Sequence, residues 1–549
     1  MKTLKILIIF IFSLSSVNAI AQKKKNFTDF EYEDSPTLEP RKRYELAEFY
    51  LSNENYKSAK LIYSALLEND PESGNLNYKL GHCLLKISFE KKVALPYLEK
   101  ASEKVSDKYK NDVDEKAAPP ETWWSLGRNY HLLHLYDKAI TCFETYRTFV
   151  NPKNDKELNR IFKSIESVEN LRTFAQKPVK IKVNNLGPQI NGSFPDYAPA
   201  VSADEKTIVF TSRRPGSTGG LMAKEGELYE DLYIAYKTDN GWTLPVGLGS
   251  NVNSIGHEAT ISLSADGSQL FVYKDIDGSG DIYTSTFDGE FWSKIEPLNS
   301  NINTEFHEAH ASMTADGTRL YFSSERDGEN DNLDLYYCNK LPNGSWGNAI
   351  KMSNILNTPF NEDSPFILPD GKTMYFASDG HNTMGGYDIF KTVMDTAGEW
   401  STPENIGYPL NSADDDIYFL VTPDGQRAYY ASFRADGYGE KDIYMIQLLD
   451  NDPSSLAILT GFVQTIAGGV PDQVVVKVYD PGSEEVPVGI YKPNAKTGKY
   501  VIILPIGSTY KISYEVADFP FHSEIIEIPQ GSGYTTINKP ITLKGIKMR

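Results

Sequence analysis

The chain has 549 residues, and 12% of them are aromatic, including 34 Tyr and 26 Phe. At about 100–200 residues per domain, this length predicts about three to five domains, each with enough apolar material for a core. The formal net charge of −19 argues against a nucleic-acid-binding protein, because contact with phosphates requires a basic face.

The first 21 residues have the features of a secretory signal peptide. A positively charged start is followed by an apolar run over residues 6–14 and by a small-residue cleavage site that ends at Ala21. The apolar run is too short to span a bilayer. We therefore expect an exported chain that begins at Gln22, continues through a polar linker over residues 22–40 and has no transmembrane span. Its expected location is the periplasm, in association with the outer membrane.

Residues 41–176 show the spacing of amphipathic helices. Three consecutive segments of about 30–35 residues each predict a helix–turn–helix pair. Gly81 and Gly127 occupy the position where paired helices must approach closely, and Ala47 stands near that position in the first segment. The pattern resembles tetratricopeptide repeats. That resemblance implies an α-helical solenoid whose concave face binds peptides or partner proteins.

From residue 180 the spacing changes from that of helices to that of strands, and a unit of about 50 residues repeats. Each unit contains the sequence Asp-Ile/Leu-Tyr/Phe, which begins at Asp231, Asp281, Asp334, Asp388 and Asp442. A turn with Asp-Gly or Asp-Glu precedes it, and an Asn that closes the unit follows it. Five such units of short strands predict a five-bladed β-propeller over residues 180–449. The unit resembles the TolB-like, WD-repeat-like propellers of bacterial envelope proteins.

The order of the motifs also predicts how the propeller closes. Residues 186–191 match the segment that ends each unit, yet they precede the first full unit, and the fifth unit lacks that segment. The sequence therefore predicts that a strand within residues 180–191 completes the last blade and removes the exposed sheet edges. Six blades would require a degenerate blade that the sequence does not reveal.

The stretch DIDGSGD at residues 275–281 matches the first half of an EF-hand calcium loop. The second half does not match, because the twelfth position is Thr286 instead of a bidentate Glu. The other units carry different turns rich in Gly, Asn and Asp at the same place, which favours a hairpin connection over a metal site. We therefore predict neither a metal nor a cofactor.

Residues 454–549 contain short alternating strands separated by Gly and Pro, which predicts a small β-sandwich. The sequence TGKYVIILPIGSTY within this region resembles the carboxypeptidase regulatory-like domain. The resemblance implies an accessory or spacer module without catalytic residues.

Acidic and histidine residues stand just before the first strand of successive propeller units. Because equivalent positions gather around one mouth of the central channel, they form a candidate partner-binding ring, which comprises His257, Glu258, His307, Glu308, Glu362, Asp363 and Asp415. Three interpretations are open for this ring. The acidic residues cap the innermost strands by accepting backbone N–H groups, or the ring binds a basic segment of a partner, or it binds a metal.

The sequence contains no nucleophile elbow, zinc-protease, P-loop or dinucleotide-binding motif. The order of the predicted domains resembles a family of Bacteroidota envelope proteins, commonly described as OmpA family or propeller-repeat proteins, some of which work with type IX secretion and gliding machinery. In that family a peptidoglycan-binding domain often follows the sandwich, and none is predicted here. The resemblance implies a non-enzymatic scaffold that binds envelope proteins, with at most an indirect link to peptidoglycan or to an outer-membrane complex. The alternative is a glycan- or peptide-binding protein, or a hydrolase, that uses the propeller mouth.

Overall fold

A computed structural model describes residues 38–543, apart from short gaps at 88, 277, 328–331, 435, 451–455, 467, 481, 483–485, 518, 531–535 and 539. The predicted signal peptide and nearly all of the predicted linker lie outside the described residues. The chain divides into two compact units. The first comprises the chain up to Ile165 together with Met222–Glu227, and the second comprises Glu166–Leu221 and the chain from Leu228 onward. No helix among the described residues is long and apolar enough to cross a membrane.

The described helices are α1 Pro40–Ser52, α2 Tyr56–Asn69, α3 Gly74–Lys86, α4 Leu95–Ser102, α5 Glu121–Leu132, α6 Tyr136–Arg147 and α7 Asp155–Phe174, with a 3₁₀ turn at Lys91–Ala94. Side-chain caps fix two of the starts, because Asn55 and Ser73 accept hydrogen bonds from the backbone N–H groups of Ser58 and Leu76. The two predicted close-approach glycines pack tightly. A Cβ at Gly81 would lie 2.7 Å from the side chain of Leu98, and one at Gly127 would lie 2.8 Å from Phe143.

The predicted tetratricopeptide solenoid is wrong. The described chain has only seven α-helices, which make up 20% of it, and small sheets dominate the structure. The α4 helix has only eight residues, and residues 103–120, between α4 and α5, contain no helix. The helices therefore do not form a series of similar helix pairs, as a tetratricopeptide solenoid requires. Amphipathic spacing locates individual helices, but it carries no information on whether successive pairs stack regularly.

Five small antiparallel sheets follow, and each forms one blade of a propeller. The first blade contains β2 Asp196–Val201, β3 Thr207–Ser212, β4 Asp231–Thr238, β5 Gly241–Trp242 and β6 Val246–Gly247. The second blade contains β7 His257–Leu263, β8 Gln269–Asp275, β9 Asp281–Thr286 and β10 Glu296–Pro297. The third blade contains β11 Glu308–Met313, β12 Arg319–Ser324, β13 Asp334–Asn339 and β14 Ile350–Lys351. The fourth blade contains β15 Glu362–Ile367, β16 Thr373–Ser378, β17 Asp388–Val393 and β18 Glu404–Asn405. The fifth blade contains β19 Leu420–Val421, β20 Arg427–Ser432 and β21 Asp442–Leu448, together with β1 Ile181–Asn185 from the start of the propeller region.

The blades form a closed ring. Each of five apolar clusters joins two successive blades, and the cluster that contains Phe210 and Tyr429 joins the first blade to the fifth. The β1 strand pairs antiparallel with β21 from Ile181 opposite Leu448 to Asn185 opposite Tyr444. The fifth blade therefore takes its outer strand from the N-terminal end of the propeller, which leaves no unpaired edge on β21.

Two further sheets form the C-terminal sandwich. Their strands are β22 Leu456–Thr465, β23 Val474–Tyr479, β24 Gly489–Tyr491, β25 Lys499–Pro505, β26 Ser508–Val516, β27 Phe519–Ile528, β28 Thr536–Asn538 and β29 Ile541–Leu543. The β22 strand pairs with β25, β28 and β29, and the other sheet has the order β24-β23-β26-β27. Inward-facing side chains of both sheets share one core, which includes Ile502 and Tyr514.

The sandwich packs against the propeller, within the second unit. Ala203 and Ala265, in turns of the first two blades, share an apolar cluster with Ile458 and Val501 of the sandwich. Lys499 Nζ lies 2.8 Å from the carboxylate of Asp204, whose side chain is almost fully buried. Apolar contact and a buried ion pair therefore fix the position of the sandwich on the propeller.

Candidate functional site

Carboxylates at the starts of the innermost strands cap those strands. In every blade the carboxylate accepts a hydrogen bond from the backbone N–H four residues earlier, at 2.7–3.0 Å. The five capping residues are Asp196, Glu258, Glu308, Glu362 and Asp416. Three members of the predicted ring, Glu258, Glu308 and Glu362, have no exposed surface. These three glutamates therefore correspond to the capping interpretation, because a partner cannot reach them.

Most of these caps are also neutralised by a cation of the same blade. Lys274 lies 2.5 Å from Glu258, Arg326 lies 3.5 Å from Glu308, and Arg214 lies 2.6 Å from Asp196. Glu362 and Asp416 are different, because within the described chain they accept bonds only from hydroxyl and backbone groups. Burial raises the pKa of Glu362 to about 7.

The other four members of the predicted ring do not form one uniform ring, because Asp415 is exposed, His257 and His307 are half-buried and Asp363 is buried. The side chain of Asp415 is exposed, and its Oδ1 accepts a hydrogen bond from the backbone N–H of Tyr387. His307 is half-buried, and its ring centroid lies 5.7 Å from that of Tyr273. His257 and Asp363 each form a pair with a residue that the sequence did not single out.

His257 belongs to a charged cluster around Glu230. The two carboxylate oxygens of Glu230 lie 2.6 Å from His257 Nδ1, 2.5 Å from Arg213 and 2.9 Å from the hydroxyl of Tyr197. Burial acts to raise the pKa of Glu230, but the hydrogen bond from His257 and the charge of Arg213 outweigh it and lower the pKa to about 2. Glu230 is therefore ionised, and its charge is balanced within the cluster.

Asp363 pairs with His310. The Oδ1 atom of Asp363 lies 2.8 Å from His310 Nδ1 and accepts a hydrogen bond of 2.6 Å from the hydroxyl of Ser323. Burial acts to raise the pKa of Asp363, but the charge and hydrogen bond of His310 lower it overall. The ring of His310 also meets that of Tyr418 edge to face, at 5.2 Å between centroids.

Tyr418 has an unusual backbone conformation. Its φ is 61°, in the left-handed region that bulky residues rarely occupy. Ala198 and Ser364 hold the equivalent position in their blades and also have positive φ. In Tyr418 this conformation accompanies ring contacts with His310 and, at 6.5 Å between centroids, with Tyr197. Strained positions of this kind concentrate where a side chain must be aimed at a ligand.

Uncompensated acidity collects on one side of the mouth, around Tyr387. Burial raises the pKa of Tyr387, and the charges of Asp363, Asp379 and Asp415 raise it further. Burial also raises the pKa of Asp379, with a contribution from the charge of Asp415. Asp379 and Asp415 form no ion pair within the described chain, so the phenol of Tyr387 lies in a negative local field.

The mouth therefore combines tyrosines with acidic and histidine side chains, but it does not have the geometry of a metal centre. No group of three or more His, Cys, Asp or Glu side chains in the described residues could hold a metal ion. In the DIDGSGD stretch, Asp275 accepts a hydrogen bond from the backbone N–H of Gly278, as in a tight turn, and Asp277 lies outside the described residues. Sequence reasoning missed Glu230, His310, Tyr387 and Tyr418 because none of them recurs from blade to blade.

No protein-family model and no curated protein matches this chain. Solved structures with similar folds include a TolB-like protein of Agrobacterium tumefaciens, at 16% identity over 49% of this chain and 98% of that protein, with a TM-score of 0.27. An α-L-arabinofuranosidase of Lactobacillus brevis matches at 14% identity over 51% of this chain and 96% of the enzyme, with a TM-score of 0.31. An endo-arabinase of Bacteroides thetaiotaomicron matches at 16% identity over 47% and 95%, with a TM-score of 0.30.

Proposed function

We propose that this protein is a non-catalytic binding protein of the cell envelope, whose propeller mouth takes an extended segment of another protein that carries a lysine or arginine. The observation that carries this proposal is the position of Tyr387 among Asp363, Asp379 and Asp415. Asp379 and Asp415 form no ion pair within the described chain, and an aromatic face bordered by such carboxylates attracts a cationic side chain through both cation–π and charge interactions. Tyr197 and Tyr418 supply further aromatic surface, where the rest of the segment would pack.

The leader-like start of the sequence supports the periplasm as the proposed location. The resemblance of the propeller units to those of bacterial envelope proteins supports envelope proteins as partners, and an association with type IX secretion or gliding machinery is the more specific form of this proposal. The side chains of the propeller mouth are the structural support for a partner, so the mouth is the place to test for one.

The alternative of glycan binding or glycoside hydrolysis draws support from the half-buried tyrosines, whose faces suit sugar rings. Hydrolysis requires one carboxyl that holds a proton near neutral pH and a second that is free to act. Glu230 and Asp363 do not suit these roles, because their pKa values are lowered and histidine, tyrosine and serine groups occupy their oxygens. Asp379, whose pKa is raised by burial, and the exposed Asp415 are the carboxyls left for these roles. We favour binding over hydrolysis, and release of reducing sugar from arabinan, which we do not expect, would show the opposite.

Site-specific photo-crosslinking in cells that produce the protein tests the proposal. A benzophenone amino acid at position 418 should crosslink to one envelope protein, through a peptide that contains lysine or arginine. The same amino acid in place of Leu244, which is exposed on the outside of the first blade, is the control and should not capture that protein. The D379N/D415N variant should lose the crosslink at position 418. Capture of the same protein from both positions, or a crosslink that survives the double substitution, would refute the proposal.

A further inference from the structure

A cavity lies at the junction of the propeller and the sandwich, away from the propeller mouth. Its volume is about 280 Å³, close to the lower end of the range for small-molecule sites. Both walls belong to the second unit, and the ion pair between Lys499 and Asp204 holds them together. Two more contacts fix the junction. The side-chain amide of Asn494 donates to the carbonyl oxygen of Phe287 at 3.1 Å, and Lys496 lies 2.8 Å from Asp288. The cavity is therefore a preformed feature of two docked domains, the setting in which ligand pockets concentrate.

The walls of the cavity are aromatic. Tyr236, Phe287 and Trp292 line it from the propeller, and Phe462 lines it from the sandwich. Tyr236 and Phe462 are about two-fifths exposed, so their ring surfaces are available. Trp292 is only 6% exposed, and its indole Nε1 atom has no hydrogen-bond partner among the described residues. This atom has almost no accessible surface, so Trp292 contributes to the cavity wall through its ring.

The charges at the cavity are positive, although the whole protein is strongly acidic. Lys206, Lys237 and Lys499 line the cavity together with one acidic residue, Asp266. Asp204 balances the charge of Lys499. The carboxylate of Asp266 accepts hydrogen bonds from the hydroxyl groups of its own turn, at 2.6 and 2.7 Å.

The other two lysines of the cavity are not neutralised. Lys206 and Lys237 form no ion pair within the described chain. The ammonium of Lys237 lies over the ring of Trp242, 5.7 Å from its centroid. Two cations at the rim of an aromatic cavity favour a ligand that carries a negative charge.

We propose that this junction cavity binds an acidic saccharide. The exposed aromatic faces of Tyr236 and Phe462 would stack on the sugar rings. The hydroxyl groups of Thr207 and Thr497 at the cavity would exchange hydrogen bonds with the hydroxyl groups of the sugar. Lys206 and Lys237 would bind the carboxylate, sulfate or phosphate group of the ligand through charge-assisted hydrogen bonds.

Calorimetric titration of the whole protein with trigalacturonic acid at low salt tests this proposal. The K206M/K237M variant should bind at least about tenfold more weakly, since loss of a charge-assisted hydrogen bond costs about 1.4 kcal/mol or more. Lys372 and Lys340 hold the equivalent positions in the fourth and third blades, so K340M/K372M is a control with the same change of net charge. That control should bind trigalacturonic acid as tightly as the parent.

Three further arms identify the ligand chemistry. Neutral galactotriose should bind much more weakly than trigalacturonic acid, and inorganic phosphate should compete only at high concentration. The D379N/D415N variant of the mouth should bind trigalacturonic acid normally, which separates this site from the proposed peptide site. Absence of binding, equal losses in the two lysine variants, or phosphate that binds as tightly as the saccharide would each overturn the proposal.

Discussion

Replacing two equivalent caps, Glu308 and Glu362, by glutamine should have opposite consequences. Both carboxylates are fully buried, and both accept a backbone N–H and two hydroxyl groups. Only Glu308 also faces a guanidinium, that of Arg326 at 3.5 Å. Glutamine keeps one oxygen and replaces the other with an amide that can only donate.

For Glu308 the amide of glutamine has no acceptable position. In one orientation it faces the backbone N–H of Thr304, and in the other it faces Arg326. Either way a group that can only donate loses its acceptor and a buried cation loses its counter-charge. We expect E308Q to lower the free energy of unfolding by about 2–3 kcal/mol, within the range for lost charged hydrogen bonds.

For Glu362 the amide can face the hydroxyl groups of Thr358 and Ser378, which can also accept, while the remaining oxygen keeps the backbone N–H. The pKa of Glu362 is about 7 in the folded chain and about 4.3 in an unfolded chain. The folded chain therefore holds the proton more tightly. Tighter binding of this proton stabilises the folded chain fully below about pH 4.3, and the stabilisation is lost as the pH rises through about 7. E362Q needs no proton, so it should match the parent near pH 5 and exceed it by up to about 3 kcal/mol near pH 8.5.

Urea unfolding at pH 5 and pH 8.5 measures both effects, and tryptophan fluorescence reports on the propeller, which holds four of the six tryptophans. E308Q should be less stable at both values, because its deficit comes from lost acceptors. E362Q should show a gain that grows with pH. Equal losses in the two variants, or an E362Q profile parallel to that of the parent, would refute the assignment of Arg326 as the difference between the two caps.

Three other substitutions have defined expected outcomes. K499M should destabilise the propeller–sandwich junction by about 3 kcal/mol in thermal unfolding, because it leaves Asp204 charged and buried, and D204N/K499M should recover part of that loss. Y418N should unfold at the same or a slightly higher temperature, because asparagine tolerates positive φ. The same substitution should weaken binding of the partner segment, the binding that also depends on Asp379. Burial lowers the pKa of His82 to about 4, so the first unit should lose stability as the pH falls from about 6.5 to 4, and H82Q should flatten that dependence in circular-dichroism melts.

The repeat in the sequence identified the strands of the propeller well, and the reason is physical. The third strand of every blade begins at the aspartate of the Asp-Ile/Leu-Tyr/Phe motif. The residue after that aspartate, such as Leu232 or Ile389, is buried between blades, and its backbone N–H donates to the asparagine that closes the unit. Every blade needs this contact, so the motif recurs in the sequence.

The helical unit and the mouth could not be predicted in the same way. The segment between α4 and α5 interrupts the helix pairs, and the spacing of apolar residues does not report how pairs stack. In the mouth, Glu230 follows an unusually long connection after β3, whereas Tyr387 ends a short one after β16. Closure of the ring brings these residues together from distant parts of the chain, and no local pattern indicates which side chains meet at the mouth.

In this propeller, the positions at which one blade differs from the others are therefore a better guide to function than the repeated motif is. The first and third blades place an arginine two residues after the second strand, at Arg214 and Arg326, and each neutralises the cap of its own blade. The fourth blade has Gly380 at that position, where a Cβ would collide with the hydroxyl of Thr358. An arginine there would displace the side chain of Thr358, which donates to Glu362. Without that arginine the pKa of Glu362 stays raised, and the acidity of Asp379 and Asp415 around Tyr387 stays uncompensated. The fourth blade lacks the cation that each of the first three blades supplies for its own cap, and this deficit is the physical basis for expecting a cation from a partner.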